Sequence, residues 1–178
     1  LVSAGATKGL KFLDEAQTIR TESEKLRRRG VRIQIVLIHQ GAAVGNNAID
    51  GNPPVAWDGP IVTIANQLQD TTVDVIMAGH THRIANFMQG KILVVEGLNA
   101  GASYSVVQMV VQGRDVEWAG GATRVAKNIG VAPRPDVKAI VDDANAQTAI
   151  LRNKVIGTQQ FDIKRAPSRL LESAMGNM

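Results

Sequence analysis

Val73-Asp74-Val75-Ile76-Met77-Ala78-Gly79-His80-Thr81-His82 is the stretch on which the fold turns. A short, almost unbroken apolar run rich in β-branched residues reads as a strand buried on both faces. It ends on a glycine, which lets the backbone turn sharply, and then on two histidines. In extended backbone, residues two apart face the same side, so His80 and His82 are expected to point together. Some forty residues upstream, Val31-Arg32-Ile33-Gln34-Ile35-Val36-Leu37-Ile38 alternates at first, then becomes continuously apolar, and runs into His39-Gln40-Gly41. Between the two runs, residues 39–59 are loop-like, and Pro60 opens a helix through Ile61, Ile64, Ala65 and Leu68 as a first-turn proline. Strand, helix, strand is a βαβ unit with parallel strands. All three histidines then follow the carboxyl ends of neighbouring parallel strands, where open α/β folds place their chemistry.

Outward from this unit, residues 14–29 read as an amphipathic helix stopped by Gly30, with Ala16, Ile19 and Leu26 on one side. After His82 the pattern shortens. Residues 84–88, 92–96, 104–111 and 116–119 are expected as strands of an antiparallel meander, with turns at Gln89-Gly90-Lys91 and Gly113-Arg114-Asp115. Residues 128–135 form a Gly/Pro linker, residues 136–151 a helix capped by Asp136, and residues 155–163 a further strand. Residues 168–178 look like the start of another helix. A strand that arrives so late, without partners, suggests the opening of a second domain. The fold class is mixed α/β.

Hydrophobic residues make up 44% of the 178 and charged residues 20%, as in an ordinary globular chain. No apolar run reaches the ~18 to 20 residues of a membrane helix. No secretory signal is visible, and with Leu1 in place of an initiator Met the chain is expected to start inside a longer gene product. The absence of cysteine excludes disulfides, zinc ribbons and thiol nucleophiles. The net charge of +4 is concentrated in Lys25, Arg27, Arg28, Arg29 and Arg32, at a helix end where cations complement the dipole. With one Tyr, two Trp and three Phe there is little from which to build a base-stacking platform, so no nucleic-acid partner is expected.

A lone histidine beside a strand end is ordinarily a hydrogen-bonded structural residue. Here His39, His80 and His82 are the only histidines, and all three stand at such ends. Imidazoles so placed can reach two metals ~3.5 to 4 Å apart, each at ~2.0 to 2.1 Å from its ring nitrogen. No carboxylate is assigned to a metal: Asp58 reads as the cap of the helix at Pro60, Asp50-Gly51 as a turn, and Glu96 as the wet rim of a strand end.

The segments Ile35-Val36-Leu37-Ile38-His39-Gln40-Gly41 and Val73 through His82 resemble the last two motifs of calcineurin-like metallophosphoesterases. Gly59-Pro60-Ile61 and Glu172-Ser173-Ala174-Met175-Gly176-Asn177 are similar to elements of the 5'-nucleotidase and 2',3'-cyclic-nucleotide phosphodiesterase branch. The resemblance implies a partial four-layer αββα sandwich. Residues 1–127 would be the latter half of the metal domain, 128–151 a linker and helix, and 152–178 the start of a truncated substrate-binding domain. It also implies two divalent ions (Zn, Mn, Fe, Co or Ca), with His39 and His80 on one and His82 on the other, and hydrolysis of nucleotide phosphomonoesters outside the cytoplasm. The family's earlier motifs, Asp-x-His, Gly-Asp-x-x-Asp and Gly-Asn-His-Asp, do not occur in these residues, nor do its substrate-stacking aromatics. No catalytic residue is therefore identifiable, and the chain alone is expected to be inactive. It is expected to need a separate amino-terminal half, or to pair with itself through its strand edges. The alternatives are a cyclic-nucleotide phosphodiesterase, a nucleotide-sugar hydrolase, or a non-catalytic binding module.

Overall fold

A computed structural model describes residues 5–43, 57–158 and 160. The chain divides into two units, Leu1–Asn128 and Ile129–Met178.

The first unit opens with α1, Glu15–Arg28, whose amino end is capped by Asp14: its carboxylate accepts from the Gln17 N–H at 2.8 Å. Glu15 in the first turn and Lys25, Arg27 and Arg28 in the last complement the helix dipole. Gly30, at φ +84°, carries the chain out of the helix in a conformation that favours glycine. Strand β1, Gln34–Leu37, is shorter than the sequence pattern suggests. Helix α2, Pro60–Gln67, then returns the chain to β2, Val73–Ala78, which pairs parallel with β1, as the βαβ reading requires.

The expected meander is replaced by two separate pairings. Strand β3, Ala85–Gln89, runs antiparallel to β4, Ile92–Glu96, and β4 inserts parallel beside β2, giving the sheet order β1-β2-β4-β3. Strands β5, Ser103–Gln112, and β6, Asp115–Val125, form a two-stranded antiparallel sheet of their own. Burial explains the division. Every residue of β4 is buried, which suits a central strand, whereas β5 alternates half-buried and exposed positions, which suits a strand covered on one face.

The four-stranded sheet therefore has two different faces. On one, Val73, Ile76, Ile92 and Val94 pack with Ile61, Ile64, Ala65 and Leu68 of the α2 segment and Ala16 of α1. On the other, Val75, Leu93 and Val95 meet Val107, Met109 and Ala119 of the β5–β6 pair. Among the described residues β1 pairs only with β2, and Ile35 and Leu37 on its second face are 42% and 79% exposed.

In the second unit α3 spans Pro135–Arg152 and buries none of its residues. Its cap is not Asp136. The N-cap is Arg134, Pro135 takes the first helical position, where its missing N–H is no loss, and Asp136 sits in the first turn and receives the Arg134 guanidinium at 2.9 and 2.5 Å. That contact holds the Asp136 carboxyl below its ordinary range. Residues 155–158 have no regular secondary structure, contrary to the expected strand. The remainder of that strand, apart from Gln160, and the motif at Glu172–Asn177 lie outside the described residues.

Candidate metal centre

The parallel pairing of β1 and β2 continues past the strand ends. Ile38 N–H donates to the Met77 carbonyl at 3.0 Å and Gly79 N–H to the Gln40 carbonyl at 3.2 Å. These bonds carry the two histidine segments side by side, and His80 Nδ1 comes to 3.1 Å from His39 Nε2. The rings meet edge to face, with centroids 4.9 Å apart and planes at 74°. Both side chains belong to exposed residues.

That spacing suits a shared cation. Two imidazole nitrogens each ~2.0 to 2.1 Å from one ion lie about 2.9 Å apart at a right angle and about 3.3 Å apart at a tetrahedral one. The same spacing serves an N–H···N bond between the rings, with the tautomers arranged to suit. Among the described residues no three His, Asp or Glu side chains gather closely enough to hold an ion together.

Of the three histidines expected to converge, the structure thus brings His39 and His80 together as a pair. The i, i+2 rule presumed extended backbone, but His80 has φ +85° and His82 φ +57°, both in the left-handed region. The sharp turn lies on the histidines themselves, whereas Gly79 keeps an ordinary φ. Left-handed residues with side chains cost roughly 1 to 3 kcal/mol each and persist only where the surroundings impose them.

Thr81, which lies between these two histidines, is bonded to Glu96. The sequence pattern puts this residue on a wet rim, but it is 1% exposed. In register, Glu96 lies opposite Ala78 on β2, one residue before Gly79. Its Oε1 accepts from the Thr81 N–H at 3.1 Å and from the Thr81 hydroxyl at 2.7 Å, and its Oε2 accepts from the Ala42 N–H at 3.0 Å. The signal available in the sequence was a carboxylate closing an otherwise unbroken apolar strand, Ile92-Leu93-Val94-Val95-Glu96. Asp58 is also not a helix cap. The N-cap of α2 is Gly59, at φ +104°, and the Asp58 carboxylate accepts from the Gly59 N–H at 2.6 Å. Asp50 lies outside the described residues.

The helix-backed sheet that carries His39 and His80 at the carboxyl ends of adjacent parallel strands is similar in fold to 5'-nucleotidases and calcineurin-like phosphoesterases. Among solved structures it resembles the sulfate thiohydrolase SoxB of Thermus thermophilus, with TM-score 0.60, 18% identity, and coverage of 84% of this chain and 24% of that one. A 5'-nucleotidase precursor from the same organism gives TM-score 0.60 at 19% identity, over 93% of this chain and 34% of the other. The calcineurin-like phosphoesterase YfkN of Bacillus subtilis gives 0.55 at 18%, over 81% and 46%. In sequence, the chain is 32% identical over 168 residues to the cell wall protein Lmo0130 of Listeria monocytogenes, and 24% identical over 180 residues to the endonuclease YhcR of Bacillus subtilis. These matches cover 92% and 100% of this chain but span only 21% and 14% of those relatives' lengths. No protein-family model matches the chain. No helix among the described residues is long and apolar enough to cross a membrane.

Proposed function

We propose that this chain forms part of a metal-dependent phosphoesterase of the 5'-nucleotidase kind, in which His39 and His80 bind one divalent ion and His82 a second. The observation that carries the reading is the 3.1 Å approach of His80 Nδ1 to His39 Nε2 at the ends of two parallel strands. Imidazole nitrogen is a good donor for Zn, Fe, Co or Mn, and the spacing fits a shared ion. Divalent ions bound there supply Lewis-acid polarisation of a phosphoryl group and activation of water. This chain's residues hold and orient the ions. The carboxylates that balance two dications, and the layer that would complete a four-layer αββα sandwich, are assigned to other parts of a longer protein. A location outside the cytoplasm is supported by the relative named as a cell wall protein.

A second reading, phosphodiester rather than phosphomonoester hydrolysis, is favoured by one observation, the relative named as an endonuclease. Metal content and phosphate release by the full-length protein test both. Each of the His39→Ala and His80→Ala variants is expected to lose at least one equivalent of bound metal and to cut turnover by about 100-fold or more. AMP as the preferred substrate supports the first reading, and 2',3'-cyclic AMP or oligonucleotides the second. Full metal occupancy in both variants would remove the basis of the proposal.

A further inference from the structure

Burial of a carboxylate at Glu96 is costly, and an apolar side chain there would pack without that cost. No ion pair among the described residues includes it. What it holds is specific. One oxygen receives the backbone of Ala42, three residues beyond His39, and the other receives both donors of Thr81, the residue between His80 and His82. Both oxygens are thereby engaged with the loops, so Glu96 is not itself placed as a ligand.

We propose that Glu96 is a positioning residue for the metal centre: its carboxylate clamps the His39 loop to the His80–His82 turn and so sets the separation of the two imidazoles. The proposal rests on the reading of His39 and His80 as ligands given above. Three features support it. Thr81 is flanked on both sides by left-handed histidines, a conformation that relaxes unless it is held. Gly41 leaves no room for a side chain against Gly79, Thr81 and Glu96, so the two loops are packed to contact around the same carboxylate. And β4 lies next to β2 in the sheet, so the clamp is anchored in a fully buried strand rather than in another loop.

The test uses the full-length protein with Glu96→Gln, Glu96→Ala and Thr81→Val, and His39→Ala as the control for the underlying reading. Apo melting temperature, divalent-ion affinity by chelator competition, and the visible spectrum of the Co²⁺-loaded protein are read together with kcat and KM. Gln keeps the size of Glu but cannot accept at both ends, so Glu96→Gln is expected to fold, to bind Co²⁺ about 10-fold more weakly with an altered spectrum, and to lower kcat with little change in KM. Glu96→Ala, which removes both acceptors, is expected to weaken Co²⁺ binding further. Thr81→Val removes the hydroxyl donor alone and is expected to shift the same spectrum by less. If His39→Ala binds metal as tightly as wild type, the ligand reading fails whatever Glu96 does. If His39→Ala loses metal while folded Glu96→Gln keeps wild-type affinity and spectrum, the positioning role alone is overturned. Should Glu96→Gln not fold, a wild-type affinity and spectrum in Thr81→Val overturns it equally.

Discussion

At Gly41 a methyl group would overlap the Gly79 carbonyl oxygen and Thr81 Oγ1, with Glu96 Oε1 at 2.8 Å. A backbone oxygen cannot swing away as a flexible side chain can, so the loops must separate to admit it. Gly41→Ala is therefore expected to destabilise the fold by about 1 to 3 kcal/mol, the usual range for overpacking, and to lower Tm by several degrees. A thermal melt indistinguishable from wild type would mean that the loops are not in contact as described. At this scale the strand-end positions of His39 and His80 were legible in the sequence, because residue type and strand-end position are local properties. The convergence of all three histidines rested on an extended backbone that His80 and His82 do not adopt. Glu96 was not legible. Whether a terminal carboxylate faces water or two loops depends on which strand lies beside it.

Asp74 links two elements: its Oδ2 accepts from the Gln34 N–H at 2.9 Å, joining β2 to the start of β1. Burial pushes its carboxyl above the ordinary 3.8, against the smaller opposing effect of that backbone N–H. A carboxyl raised in the folded state favours folding fully below the unfolded value, and that contribution is lost as pH rises through the folded value. Wild-type stability is thus expected to carry a downward component with rising pH in the mildly acidic range. Asp74→Asn, which keeps an acceptor for Gln34 without a charge, removes that component. Urea midpoints measured from pH ~4 upward check this, and parallel curves for the two proteins would contradict it. The same scale shows why the βαβ unit was readable and the meander was not. Periodicity and the proline at the start of α2 mark each element, but pairing partners are chosen by which faces need cover.

The first unit as a whole presents unequal edges. Strand β1 pairs on one side only among the described residues, with Ile35 and Leu37 exposed, and Tyr104, Val106, Val110 and Trp118 are exposed on the β5–β6 pair. Open strand edges with apolar side chains recruit further chains. Residues 1–178 produced alone are expected to self-associate and to show negligible phosphatase activity, and Ile35→Lys with Leu37→Lys is expected to shift them toward monomer. Light scattering decides this: a wild-type monomer at about 100 µM, or equal association by the double variant, would rule out β1 as the contact.

What the sequence by itself determined is the set of local preferences. Apolar runs specify buried strands, Asp14 and Pro60 specify helix starts, and the residues that follow each strand are named without reference to anything distant. Tertiary structure alone decided that β4 lies between β2 and β3, that His39 meets a His80 held in left-handed backbone, and that a carboxylate expected in water closes the two loops together. The physical reason is range. Propensity and capping act within a few residues, whereas burial and the satisfaction of buried polar groups are settled only when strands distant in the chain come to lie side by side.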